Sequence, residues 1–338
     1  MIKNHRPLPD NRSMVFFYNY ISHMTGVIIK STGSWYWVRT EAHKEYQCRI
    51  KGKFRIKGIK STSPITVGDH VDFELEKDAN TGIISNIHDR KNYIVRKSVN
   101  LSKQTHIIAA NIDLAFLMVT LDHPPTFTPF IDRFLATAEA YHIKAVLLFN
   151  KMDLNDEELD IKKNKLLKIY RDIGYTCLEI SATKNINVDA VKKLMLGKIS
   201  MFSGHSGVGK STLINSISPE LQLKTAEVSA QHKLGQHTTT FAEMFALATD
   251  PESYIIDTPG IKGFGVVDFE ENEIGDFFPE FFKLKHLCKF NNCLHVNEPK
   301  CAVKDALEDG AIAASRYRSY LQILQGDEEN YRTNIYEL

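Results

Sequence analysis

The chain has 338 residues, 43% of them apolar and 25% charged, enough to bury sizeable cores and to divide into two or three domains. That composition excludes a disordered polymer. No run approaches the roughly 18 uninterrupted apolar residues of a membrane-spanning helix, and residues 1–23 lack the apolar stretch of a signal peptide, so a cytoplasmic chain without membrane association is expected.

The net charge of +1 conceals an asymmetry: residues 1–103 hold 18 Lys+Arg against 9 Asp+Glu, and the remainder holds 24 against 32. A basic front half is the footprint of a phosphate-backbone partner. Residues 1–23 read as an N-terminal extension. Residues 24–100 show short strand-like runs (26–38, 46–56, 65–75, 82–87 and 93–96) punctuated by Gly, Ser, Asn and Asp. They predict an all-β, OB-like barrel of about five strands that binds RNA. Trp35, Tyr36 and Trp37 lie among Lys30, Arg39, Lys44, Arg49, Lys51, Lys53, Arg55 and Lys57. Strand alternation sends the two tryptophans to one face, expected to be the structural one, and leaves RNA to the cations.

After a polar link at 100–106, apolar runs alternate with helical segments through 101–265, the pattern of an α/β domain with a parallel sheet. Strands are predicted at 112–120, 145–149, 177–180 and 198–202, and helices at 130–141, 157–173 and 210–217. Asn150-Lys151-Met152-Asp153 follows the second of these strands and matches the N-K-x-D element of GTPases. Asp153 can accept hydrogen bonds from N1–H and the exocyclic amine of guanine, an edge adenine does not offer. Asn150 is expected to tie the base to neighbouring loops, and the Lys151 stem to pack on the ring. Ser181-Ala182 follows the third strand, where backbone N–H groups complete guanine recognition.

Gly204-His205-Ser206-Gly207-Val208-Gly209-Lys210-Ser211 fits G-x-x-x-x-G-K-[ST] between a strand and a helix, and Thr212 follows it. The glycines let successive N–H groups wrap a phosphate chain at a helix N-terminus. Lys210 is expected on the β- and γ-phosphates and Ser211 on Mg²⁺. Downstream stand Gly235–Thr240 and Asp257-Thr258-Pro259-Gly260, the two elements expected to sense the γ-phosphate, with Thr239 and Asp257 on the Mg²⁺ side and the Gly260 amide at the phosphate. The guanine elements precede the P-loop, the reverse of the ordinary arrangement, which identifies a circular permutation. Ile261 follows Gly260 where many GTPases carry a water-orienting glutamine. His237 is the catalytic candidate in its place, beside Lys210 and Thr239.

Residues 266–338 form the last region, predicted as a mostly helical metal-binding domain with an acidic tail. Cys288-x4-Cys293-x-His295-x5-Cys301 supplies three thiolates and an imidazole, a closed tetrahedral set suited to structural Zn²⁺. Cys48 and Cys177 stand apart and read as small buried strand residues.

Together these residues resemble the ribosome small subunit-dependent GTPase A family of bacteria over nearly the whole chain. The resemblance implies binding of GTP and GDP, Mg²⁺ with the nucleotide, and contact with rRNA through the barrel and zinc regions. It further implies late maturation of the small ribosomal subunit and hydrolysis stimulated by that subunit. A monomer is expected. Other readings are a permuted GTPase of large-subunit assembly, a P-loop ATPase or kinase, and a GTP-gated RNA-binding module without turnover.

Overall fold

The computed structural model describes residues 23–50, 64–76, 81–97, 105–223, 242–257 and 269–326. The first five strands are β1 (His23–Ser31), β2 (Tyr36–Arg39), β3 (Glu45–Ile50), β4 (His70–Leu75) and β5 (Thr81–Ile87). They run in the order β1-β2-β3-β5-β4, and β4 returns to pair with β1, so the sheet closes into a barrel. The run 26–38 is two strands, not one, because the chain turns at 32–35, where the Thr32 N–H donates to the Trp35 carbonyl at 3.0 Å. Tyr36, Val38, Cys48, Val71, Phe73 and Ile84 fill the barrel. Burial pushes the Cys48 thiol up to about 12, as expected of an inert interior cysteine.

Two further expectations are corrected in this region. The phase of β2 is opposite to that expected: Tyr36 is the core residue at 2% exposure, while Trp35 and Trp37 are only half-buried. Trp37 packs outward against the core of the adjoining α/β region, with the Lys30 ammonium 5.8 Å from its ring centroid. The run at 93–96 is not a barrel strand. It lies in β6 (Tyr93–Lys97), which pairs with β7 (Thr105–Ala110) in a separate two-stranded sheet. The barrel is already closed by β4 on β1 and offers that strand no edge.

The α/β region is built on β8 (Leu114–Val119), β9 (Lys144–Phe149), β10 (Thr176–Glu179), β11 (Ile199–Ser203), β12 (Glu243–Leu247) and β13 (Asp250–Asp257). Their order is β10-β9-β8-β11-β13-β12, parallel except for β12. Every residue of β8 is buried, as a strand covered on both faces requires. The covering helices are α1 (Thr128–Ala140), α2 (Glu157–Ile173), α3 (Val188–Met195) and α4 (Lys210–Ile217). Asp156 caps α2 by accepting from the Leu159 N–H at 2.9 Å. Cys177 lies on β10, buried, its thiol pushed up to about 11 by desolvation.

The two regions share one eleven-stranded sheet, because β12 also pairs antiparallel with β1. Lys30 stands opposite Glu243, and Glu243 stands opposite Asp257, so three strands place these residues in one row. The Lys30 ammonium meets the Glu243 carboxylate at 2.9 Å.

The C-terminal helices are α5 (Pro279–Phe282), α6 (Ala302–Glu308) and α7 (Ala314–Leu324). α6 and α7 are separated at Gly310, whose φ of +72° ends α6. This region packs on α1 through a buried ion network. Arg316 and Asp132, both fully buried, pair at 2.9 Å, and Glu280 accepts from Arg316 Nε at 2.7 Å and Nη2 at 3.1 Å. Tyr170 on α2 donates to Asp132 at 2.9 Å, and Phe278 lies 4.5 Å beneath the guanidinium. Among the described residues no helix is long and apolar enough to cross a membrane.

Candidate nucleotide site and metal cluster

The carboxyl ends of β9, β10, β11 and β13 lie along one edge of the sheet, and each is followed or closed by a motif residue. This is the edge at which open α/β sheets bind ligands, and the order reverses around β11 as such sites require. Asn150 is the hub of that edge. Buried to 2% exposure, it donates through Nδ2 to the Val208 carbonyl at 2.8 Å and accepts at Oδ1 from the Ala182 N–H at 3.1 Å. One side chain thus joins the N-K-x-D, S-A-x and P-loop segments. A Cβ on Gly209 would lie 2.5 Å from Asn150 Nδ2, and Gly209 has φ +97°, so only glycine serves there. Gly204 (φ +143°) approaches the Met118 carbonyl in the same way, at 2.8 Å from a would-be Cβ.

Lys210 begins α4, and its ammonium donates to the carbonyls of Gly204 at 2.6 Å and His205 at 2.7 Å. Desolvation lowers its pKa to about 8, a state that an adjacent anion would reverse. Ser206 and Gly207 are exposed on the loop, Val208 is buried beneath it, and Ser211 and Thr212 occupy the first turn of α4. His205 stacks on Phe130 of α1 with centroids 4.0 Å apart. Lys151, left-handed at φ +64°, donates to the His123 carbonyl. Met152 and Asp153 form a 3₁₀ turn, with Asp153 exposed, and the buried Ser181 accepts at Oγ from the Lys184 N–H at 3.1 Å. Asp257 ends β13. His237, Thr239, Gly260 and Ile261 lie outside the described residues.

The second cluster is in the C-terminal region. The ligand atoms of Cys288, Cys293, His295 and Cys301 all lie within 4.8 Å of one another. His295 turns Nδ1 toward two of the sulfurs, 3.7 Å from Cys288 Sγ and 3.3 Å from Cys301 Sγ. Glu298 shapes the loop by accepting from the N–H groups of Leu294, Val296 and Asn297. Burial works against its charge, yet these backbone donors hold its carboxyl below the usual range. Burial pushes the Cys293 thiol up to about 12 and raises that of Cys301. Three sulfurs and an imidazole in this space can hold a metal ion.

Sequence reasoning missed the His205–Phe130 stack and the Asp132–Arg316 pair. The second had a signal: Asp132 is an acidic residue in the apolar run Phe130–Ala138, where an unpartnered charge would not be buried.

The RsgA GTPase family model matches residues 87–267, and that of the RsgA N-terminal domain matches residues 25–84. A small ribosomal subunit biogenesis GTPase RsgA of Flavobacterium johnsoniae is 66% identical over 93% of this chain and 96% of its own. One of the same name from Christiangramia forsetii is 63% identical, over 93% of this chain and all of its own. The chain belongs to the RsgA GTPase family. Among solved structures, YjeQ from Thermotoga maritima superposes with a TM-score of 0.75 at 33% identity, covering 90% of this chain and 98% of that one. YloQ, described as a circularly permuted GTPase, superposes at 0.72 with 31% identity, covering 94% and 99%. The family membership makes this chain a GTP-hydrolysing enzyme of permuted fold, with an N-terminal barrel of the OB type.

Proposed function

We propose that GTP lies along the edge described above, with its base at Asn150–Asp153 and Ser181–Ala182 and its phosphates in Gly204–Thr212. Asp153 reads the guanine edge, Lys210 meets the β- and γ-phosphates, and Ser211, Thr239 and Asp257 hold the Mg²⁺ that neutralises phosphate charge during hydrolysis. Gly260 contacts the γ-phosphate, and His237 takes the place of the missing glutamine in orienting water. The observation that carries this reading is the pair of hydrogen bonds from Asn150, which fastens the base-reading and phosphate-holding segments into one unit.

Its relatives are named for small ribosomal subunit biogenesis; in the reading proposed here this enzyme acts late in that maturation, in the cytoplasm, as a monomer, and the subunit stimulates its turnover. The barrel (24–100) and the metal region (266–338) contact rRNA, with the permuted GTPase domain (101–265) between them in sequence and the antiparallel pair of β6 and β7 drawn from both sides of the first boundary. Residues 1–23 form the N-terminal extension, whose last residue, His23, opens β1. The metal is zinc, favoured by a set of three thiolates and one imidazole with no position left for a catalytic water.

The test is phosphate release from GTP with and without purified small subunits, with GDP and ADP as competitors. Stimulation by the subunit and competition by GDP but not ADP are expected; equal competition by both nucleotides sinks the guanine reading, and absent stimulation sinks the ribosomal one. In the same assay His237→Ala is expected to keep nucleotide affinity and lose stimulated turnover. Metal analysis of the purified protein decides the ion.

A further inference from the structure

Among the described residues, Phe282 and Phe290 are the phenylalanines with more than a third of their surface exposed, at 53% and 39%, and Leu287 between them is 61% exposed. Isolated exposed apolar residues are ordinary, but a cluster at one place marks a contact surface. Each ring carries an ammonium on it: Lys285 Nζ is 4.7 Å from the Phe282 centroid, and Lys289 Nζ is 5.1 Å from that of Phe290. The two pairs adjoin, because Lys285 and Phe290 line one cleft of about 230 Å³.

An aromatic face beside a cation, repeated once, matches the base-and-phosphate repeat of a single strand, whose bases are free to stack. The cleft sorts the two parts of a nucleotide. The amides of Asn291 and Asn292 line it and offer donors and acceptors to a base edge, while Glu271, Glu273 and Asp276, the last held by the Lys285 ammonium at 2.6 Å, also line it and disfavour phosphate there. Lys283, His286 and Lys289 are exposed and do not line the cleft, which leaves them free to meet phosphates.

We propose that this surface binds unpaired nucleotides of RNA, with bases stacked on Phe282 and Phe290, one base edge read by Asn291 and Asn292, and phosphates met by Lys283 and Lys289. The proposal rests on the reading that the protein works on ribosomal RNA and adds the site and the chemistry. Duplex RNA, whose bases are already stacked on one another, is not its ligand.

The experiment is fluorescence anisotropy of the full metal-loaded chain with a labelled twelve-nucleotide single strand and with a hairpin of like composition, across a salt series. The double variant Phe282→Leu with Phe290→Leu keeps an apolar surface but removes the stacking faces. It is expected to lose about tenfold or more in affinity for the single strand. Its salt dependence and hairpin binding should stay unchanged. Phe290→Trp should bind at least as tightly as the parent. Lys283→Ala and Lys289→Ala should instead lower the salt slope, by about 0.7 each. Equal affinity of the double leucine variant, an equal loss for hairpin and strand, or absence of single-strand binding by the parent each overturns the proposal. So does a double variant that binds RNA normally yet binds whole subunits poorly, since that outcome assigns the surface to a protein partner. Metal content and guanine-nucleotide affinity of each variant report its folding. Subunit-stimulated turnover of the parent separately tests the ribosomal reading.

Discussion

Two buried polar hubs hold this molecule together, and they are built from opposite materials. At the nucleotide edge, Asn150 joins three loops through two hydrogen bonds of a neutral amide. At the junction of α1 with the C-terminal helices, Arg316 joins Asp132 and Glu280 through full charges removed from water. A neutral amide can release one partner for a modest cost, which suits loops that must admit and release a ligand. A buried charge cannot, because any separation leaves an ion unpaired in a medium that solvates it badly. The difference teaches which contacts can be remade during turnover and which keep the C-terminal region seated on α1.

Breaking the charged hub has the largest expected effect. Arg316→Ala leaves Asp132 and Glu280 facing one another without a cation and should cost about 3–5 kcal/mol in a urea unfolding series. A loss below about 1 kcal/mol would show that water already reaches the network. Asn150→Ala should cost less, about 1–3 kcal/mol, since it strands the Val208 carbonyl and the Ala182 N–H. Its nucleotide affinity should fall with it; unchanged affinity would mean that the three loops hold their places without the amide.

A third prediction sharpens the contrast through pH. Burial lowers Lys210 to about 8, and in the proposed site the protonated form is the one expected to meet phosphate. Below pH 8 the free site already holds its proton, so affinity for GDP or GTP should be level. Above pH 8 binding must take a proton up, and affinity should fall by up to about tenfold per pH unit. Fluorescent-nucleotide titrations between pH 7 and 9 measure this, and Lys210→Arg, which stays charged, should flatten the slope whatever its absolute affinity. The smallest effect is expected at the seam between barrel and α/β region. The Lys30–Glu243 pair is 40% and 32% exposed, and Lys30→Ala should change stability by less than about 1 kcal/mol in the same urea series.

The contrast also explains what was legible in the sequence. Motifs whose chemistry dictates both residue type and neighbourhood, such as Gly204–Ser211 and Asn150–Asp153, could be placed at strand ends before any coordinates, and those strands stand where the apolar runs put them. The four metal-ligand candidates likewise converge. Pairings between distant elements were not legible, because a strand's partner is fixed by closure and packing. Tyr93–Lys97 looks like any barrel strand until β4 is seen to close on β1. The phase of β2 was misread for a related reason: alternation separates Tyr36 from its neighbouring tryptophans but does not say which side is the interior. Nor does spacing of 184 residues announce that Asp132 and Arg316 will meet.

The row Lys30, Glu243, Asp257 carries a mechanical corollary. Strands lie about 4.8 Å apart across a sheet, so the barrel's first strand is only about 10 Å from the residue that closes β13 at the nucleotide edge. A load applied to the barrel by a bound polymer would therefore reach that aspartate sideways through the backbone ladder, with one strand between grip and lever.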